Sequence, residues 1–281
     1  MKDSIAAILT VHNRKVKTLD CLASLFAISP VVDVYLTNDG CTDGTADEIL
    51  SRFPQVHIIQ GDGNLFWTQG MNKAWQEALK GNYQYYLWLN DDVQLYPALI
   101  NELLECEKIG GGACVVCGIV EDITRTRVIY GGRNANGRLI LPSQQPQDIV
   151  LMNGNVVLIP QTVVDRIGIM DCHFHHDLGD VDYALTAREN GIKVISTRCA
   201  VAAGYPNGAC RVRKWNTTLA NRFRKLNSPL GSPLAINFYF RKKHFGLLSA
   251  VLFNMRLVLL NILPDSIVKM IWGDKYMDKA E

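Results

Sequence analysis

Ile5-Ala-Ala-Ile-Leu-Thr-Val11, running straight into His12-Asn13-Arg14, decides the fold. Seven consecutive residues are apolar or β-branched, with no polar alternation. That is the pattern of a strand covered on both faces. An amphipathic stretch follows, with Leu19, Leu22, Ala23, Leu25 and Phe26 on one side, and Pro30 stops it. The same unit then repeats. Strands are predicted at 31–37, 56–59, 85–89 and 113–120, and helices at 45–53, 68–79 and 98–108. Strands alternating with helices mean an α/β class, with a mostly parallel sheet flanked by helices on both faces.

Past residue 120 the pattern changes. Short extended segments at 126–130 and 138–141 surround Gly131-Gly132 and Asn136-Gly137 turns. Residues 156–159 are apolar again, 183–189 read as helix and 193–196 as extended. Beyond about 210 only helical patterns and loops remain. The expected organisation is one domain over 1–210, divided near 120, followed by a helical tail over 211–281.

Composition narrows the class. The chain has 281 residues, 48% hydrophobic and 20% charged, which excludes disorder, collagen and coiled coil as whole-chain readings. The net charge is +2, so a strongly basic nucleic-acid binder is excluded and no nucleic-acid partner is expected. The charge is unevenly placed. From Val201 to Glu281 there are 13 Lys+Arg against 4 Asp+Glu, a net of +9, leaving −7 for the first 200 residues. An acidic body with a basic tail suggests a membrane surface or an acidic ligand at one end. Eight scattered cysteines fit a reducing compartment. Cys114-Val-Val-Cys117 lacks a second pair and reads as buried strand rather than zinc site. The apolar run at 5–11 is too short for a signal peptide, so a cytoplasmic location is expected.

Polar clusters fall at the predicted strand ends, where open α/β sheets bind ligands. They are Thr10-Val-His-Asn-Arg14, Thr37-Asn-Asp-Gly-Cys-Thr-Asp-Gly-Thr45, Gly61-Asp-Gly-Asn-Leu-Phe-Trp-Thr-Gln-Gly70 and Leu89-Asn-Asp-Asp-Val93. Each alone reads as turn chemistry, and Thr45 as a helix cap. Together they describe a nucleotide-sized cleft. No GxGxxG or P-loop signature appears. Asn90-Asp91-Asp92 brings carboxylates to the cleft mouth, where Mg²⁺ or Mn²⁺ bridges phosphates, or forms a solvated turn. Asp180 and Asp182 precede the predicted helix, as N-terminal caps or as a general base. His173, His175 and His176 lie just upstream, as loop or acceptor-site residues, without metal-ligand spacing.

In this order the clusters resemble the inverting glycosyltransferases of family 2, which have the GT-A fold. Thr10-Val-His-Asn-Arg14 resembles that family's T-x-N-R loop. Asn38–Thr45 resembles its S-D-G-S-T-D-G-T loop. Asn90-Asp-Asp92 stands at the D-x-D position and Gly179-Asp180-Val-Asp182 at the E-D-x-D position. Asn153-Gly-Asn155 looks like the loop near the acceptor. Phe238-Tyr-Phe-Arg241 resembles a C-terminal segment of rhamnosyltransferase-like members. The resemblance implies roles. Asp39 would bond the nucleotide base, with Thr10, Val11 and Asn13 lining its pocket and Arg14 at the ribose or phosphate. Asn64 and Gly70 would lie in a loop closing over the donor, with Trp67 as a stacking platform or a core residue. Asp91 would join the donor site, and Asp92 would hold the metal, with Asn90 as a further candidate. Asp180 would be the catalytic base. Asn153, Gly154, Asp182 and His176 would meet the acceptor. The halves 1–120 and 121–210 would bind nucleotide-sugar and acceptor. Asn90 and Gly179 depart from the family pattern, and no His follows at 200–205.

The implied activity is transfer from dTDP-rhamnose or a UDP-sugar to a lipid-linked or growing surface polysaccharide. Rival readings are a GT-A domain that binds without turnover and a nucleotidyltransferase, whose Gly-rich first loop is missing here. The apolar run 245–263 is interrupted by Asn254, Arg256 and Asn261. Burying Arg256 at a bilayer centre costs roughly 2.5–3.5 kcal/mol. An interfacial or dimer-forming helix is therefore expected. Arg211, Arg213, Lys214, Arg222, Arg224, Lys225 and Arg241-Lys-Lys243 would face anionic headgroups at the inner face of the plasma membrane or a lipid-diphosphate acceptor.

Overall fold

The structure is a computed structural model that describes residues 4–207 and 210–277. The last tail residues, 278–281, lie outside the described residues. The chain forms two compact units, Met1–His175 with Gly179–Tyr205, and His176–Leu178 with Pro206–Glu281.

The first unit runs β1 (Ile5–Val11), α1 (Lys15–Ile28), β2 (Asp33–Asn38), α2 (Thr45–Arg52), β3 (His57–Gln60), α3 (Phe66–Ala78), β4 (Tyr85–Leu89) and β5 (Gln94–Leu95). It continues with α4 (Leu99–Gly110), β6 (Val115–Asp122), β7 (Val128–Tyr130), β8 (Val156–Pro160), α5 (Gln161–Ile167), α6 (Gly179–Glu189) and β9 (Val194–Gly204). All strands join one sheet in the order β3-β2-β1-β4-β8-β6-β9-β5, with β7 on β6.

β1 forms where its apolar run predicts, and both faces are covered. Ala7, Leu9 and Val11 pack under α1, α2 and α4. Ala6 and Ile8 pack against Met71, Ala74 and Trp75 of α3 and Tyr183 and Ala184 of α6. The expected α/β class is found, and the sheet is mixed. β3, β2, β1 and β4 are parallel, but β8 enters antiparallel between β4 and β6. β5 and β7 are also antiparallel to their neighbours, whereas β6 and β9 are parallel. β5 and α5 have no counterpart in the sequence reading, because both are short. The expected extended segment at 138–141 is no strand, and only Leu139 bridges to Arg133. The extended segment at 193–196 grows into the 11-residue β9, which absorbs 200–204.

Cys114 and Cys117 are buried thiols in and beside β6, as a strand reading requires. All eight cysteines are free. On the α4 side, Arg198 bonds both oxygens of Glu102 and of Glu105.

The second unit contains α7 (Leu219–Leu226), α8 (Leu234–Ile262), α9 (Asp265–Trp272) and a 3₁₀ turn over Gly273–Tyr276. By length and composition α8 could cross a membrane. Its geometry is different. Gly246 has φ 83°, a left-handed value that breaks the helix. Asn254 Nδ2 donates to the Leu234 carbonyl at 2.9 Å, and the Arg241 guanidinium lies 4.2 Å above the Phe253 ring. In a straight helix residues 234 and 254 would be about 30 Å apart. The segment is therefore a hairpin of two arms, 234–245 and 247–262.

Three arginines expected to face headgroups are engaged internally. Arg213 is buried and donates to the Leu260 and Leu263 carbonyls and to Asp265. Arg222 donates to the Leu263 carbonyl and to Asp265. They satisfy the orphan carbonyls at the end of α8, where a cation is favoured. Arg211 pairs with Asp177 at 2.9 Å.

Candidate active site

β1, β2 and β4 are parallel, so their C-terminal loops share one sheet edge. β8 runs the other way, so its start reaches that same edge. The register Leu89↔Val156 sets Asn90 beside Asn155. Two loops that are far apart in sequence meet there.

Asp39 directly follows β2 and is buried. Its Oδ1 accepts from the Gly63 N–H at 2.8 Å. Its Oδ2 accepts from Leu65 at 3.1 Å and Phe66 at 3.0 Å. The carboxylate thus sits at the N-terminus of α3, where unsatisfied N–H groups and the helix dipole favour an anion. His12 Nδ1 bonds the Asp39 carbonyl at 2.6 Å. Asn13 Oδ1 accepts from the Thr42 N–H at 2.8 Å, and Val11 is buried beneath. Asn64 is exposed at the tip of the next loop.

The expected donor-closing loop is shorter than 61–70, because α3 begins at Phe66. Gly70 is helical and buried, and a Cβ there would collide with the Thr10 side chain. Thr37 Oγ1 donates to its carbonyl at 2.8 Å. Gly70 therefore lets α3 lie close on β1 and is no part of a closing loop.

Arg14 Nη1 reaches Asp92 Oδ2 at 2.9 Å and Asp91 Oδ1 at 3.2 Å. Asp91 also accepts from Thr18 Oγ1 at 3.1 Å. Burial pushes the Asp91 carboxyl up to about 6. Arg14 works against that shift, the Asp92 charge adds to it, and Thr18 opposes it. Asp91 thus ties α1 to β4, whereas Asp92 keeps a quarter of its side chain exposed. Asn90 is engaged at both ends of its amide. Its Oδ1 accepts from Trp67 Nε1 at 2.7 Å, and its Nδ2 donates to Asn155 Oδ1 at 2.5 Å. Asn155 in turn donates to Asn153.

These donors bear on a metal. Mg²⁺ and Mn²⁺ need few protein ligands when phosphate oxygens and water complete the shell. Asp92, partly exposed and paired with Arg14, would hold such an ion as its single protein carboxylate. With the Asn90 amide engaged, the loop does not chelate an ion by itself.

Asp180 lies in the first turn of α6, which begins at Gly179, so Asp180 and Asp182 are within the helix rather than before it. Asp180 Oδ2 accepts from the Gly154 N–H at 2.9 Å and Oδ1 from Val181 at 2.8 Å. A Cβ on Gly154 would collide with the Trp67 ring and lie 3.3 Å from the Asp180 Cβ. Trp67 is half-buried, edge-on to Trp88 at 6.2 Å, and forms a wall between α3 and β4. Gly179 is pressed on Thr68, which explains why no larger residue stands there. Asp182 is buried. His176 belongs to the second unit.

The structure thus brings Trp67, Asn90, Asn153, Gly154 and Asp180 together, with Arg14 and Asp92 on the same edge. Thr18 escaped the sequence reading, and Thr68 and Asn155 stood within the quoted motifs without roles of their own. Thr18 follows Arg14 by one helical turn, a spacing that offered a signal.

The glycosyl transferase family 2 model matches residues 6–170, more than half of the chain. The chain belongs to glycosyl transferase family 2. Asp180 lies just beyond the matched residues. Solved structures of the GT-A class share the fold. S. aureus TarS has a TM-score of 0.56 at 11% identity, covering 79% of this chain and 42% of that one. A TarS 1–349 structure gives 0.57 at 11% identity, covering 95% and 83%. A mannosyltransferase from Pyrobaculum calidifontis, PcManGT, in complex with GDP-Man and Mn²⁺, gives 0.56 at 10% identity, covering 91% and 65%. The family 2 chain therefore spans under half the length of full TarS. No curated protein matches it in sequence.

Proposed function

We propose that the chain is an inverting glycosyltransferase, moving a sugar from a nucleoside-diphosphate donor to a glycan hydroxyl. The observation that carries this reading is the meeting of Asp180 with Trp67 and Gly154, on the edge that also holds Arg14 and Asp92. A hydroxyl entering beside Gly154 gives its proton to Asp180 as its oxygen bonds the anomeric carbon. The bond to the diphosphate breaks on the opposite side, which inverts the configuration. Two backbone N–H bonds hold the Asp180 carboxylate in place. A positioned base of this kind contributes roughly 10²–10⁴-fold. Arg14 presents a guanidinium to the departing diphosphate. A Mg²⁺ or Mn²⁺ ion on Asp92 supplies further positive charge when bound.

Nucleotide-sugar use is supported by the family and by the GDP-Man complex of PcManGT. The donor proposed is dTDP-rhamnose or a UDP-sugar, from the resemblance of Phe238–Arg241 to rhamnosyltransferase-like members. The acceptor proposed is a lipid-linked or growing surface polysaccharide at the cytoplasmic face of the membrane. A GT-A domain that binds without turnover is the second reading, favoured by the engaged amide of Asn90.

The test compares wild type with Asp180→Asn. Transfer should fall at least about 100-fold while nucleotide affinity, read by calorimetry with UDP, dTDP, GDP and CDP, stays unchanged. Undiminished transfer overturns the base assignment. No affinity of wild type for any of the four nucleotides overturns the whole reading.

A further inference from the structure

The α8 hairpin leaves a large apolar surface open. At its tip Phe245, Leu247 and Leu248 are 49%, 60% and 72% exposed. Along the second arm Leu248, Leu252, Met255, Leu259 and Ile262 recur at spacings of four and three, so they form one stripe. Each of them is at least half exposed. Soluble surfaces rarely leave a contiguous stripe of this kind without a partner.

The charge along the hairpin's own sequence has one sign. No Asp or Glu occurs between Glu189 and Asp265. Lys242 and Lys243 are exposed directly behind the tip. Arg241 and Arg256 line one groove of about 540 Å³ with Phe245, Leu248, Leu252 and Phe253. Arg256 donates to the Tyr276 hydroxyl at 2.7 Å. Among the described residues no carboxylate pairs with Arg241 or Arg256. An anionic surface offsets them directly. Nor does the hairpin cross a bilayer. Its longer arm, 247–262, extends about 24 Å, against a hydrocarbon core of about 30 Å.

We propose that this hairpin docks the protein on an anionic lipid bilayer, its apolar tip and stripe entering the interface while Arg241, Lys242, Lys243 and Arg256 meet headgroup phosphates. Docking of this type combines buried apolar area with attraction to anionic lipid. It goes beyond sugar transfer and is measured without donor or acceptor, so it stands or falls apart from the catalytic reading.

The test is flotation of the full chain with vesicles of phosphatidylcholine, with and without phosphatidylglycerol, at low and high salt. Wild type should float only with the anionic vesicles and be released by salt. Lys242→Gln with Lys243→Gln should weaken binding about 30-fold. Leu248→Asp with Leu252→Asp should abolish it. Both leucines are exposed, so the thermal midpoint of this variant should match wild type. Wild type that stays unbound at low salt overturns the proposal, as does a leucine variant that floats normally. A wild-type dimer that never floats and that the leucine variant splits, by analytical ultracentrifugation, makes the face an interface between copies and equally overturns it.

Discussion

Asp39→Asn separates two roles for one carboxylate. If Asp39 served only a nucleotide base, the substitution would leave the ligand-free protein as stable as wild type. The structure gives Asp39 a standing duty. Its two oxygens accept from the Gly63, Leu65 and Phe66 N–H groups while the residue is 3% exposed. An asparagine oxygen at Oδ1 keeps the Gly63 bond. The amide nitrogen that replaces Oδ2 cannot accept, so Phe66 loses its partner at the N-terminus of α3 and Leu65 keeps only its longer bond to Oδ1, at 3.3 Å. A buried donor left unsatisfied costs about 1–3 kcal/mol, and the lost anion at the helix dipole adds about 0.3–1 kcal/mol. A total near 3 kcal/mol lowers the melting midpoint by roughly 6–12 °C in a unit of this size. The assay is a thermal melt without ligand, followed by circular dichroism. Amide exchange at Leu65 and Phe66 should speed up in the same variant, and that at Gly63 should not. Asn64→Ala, at the exposed tip of that loop, is the control and should melt like wild type. A shift for Asp39→Asn below about 2 °C would refute the clamp.

Mn²⁺ titrated alone should give no binding heat. With UDP or dTDP present it should bind and tighten the nucleotide at least about tenfold, an effect that Asp92→Asn removes. Gly154→Ala forces a methyl into the Trp67 ring and should destabilise by about 1–3 kcal/mol, with a change in tryptophan fluorescence. Glu102 supplies a pH dependence. Burial raises its pKa, but the Arg198 hydrogen bonds outweigh burial and hold it below the ordinary glutamate value. Its stabilisation is therefore present above about pH 4.5 and lost as pH falls through the lower folded value. Melting midpoints between pH 3 and 6 should fall less steeply in Glu102→Gln than in wild type.

β1 was legible to the residue, because an apolar run covered on both faces needs no knowledge of its neighbours to be read as strand. The pairing of β8 was not. Its five apolar residues fit either direction, and only the antiparallel choice brings Asn155 to Asn90 and Gly154 to Asp180. The polar loops were found as candidates for the same reason that β1 was found. Asp, Asn and Gly at the end of an apolar run are a local signal. What those side chains touch is a long-range property. Asp39 proved to hold α3, Asp91 to hold α1, and Gly70 to admit Thr10, each through a partner that sequence spacing does not name. The tail divides in the same way. Its composition alone identified a basic, apolar helical segment. Gly246 has no local mark that separates a tolerated helical glycine from a reversal, and the contacts of Asn254 with Leu234 and of Arg241 with Phe253 decide it. Local periodicity determines what each segment becomes, because it reflects burial along one element. Direction, register and the partners of polar groups depend on what packs across the sheet, and those only the folded chain decides.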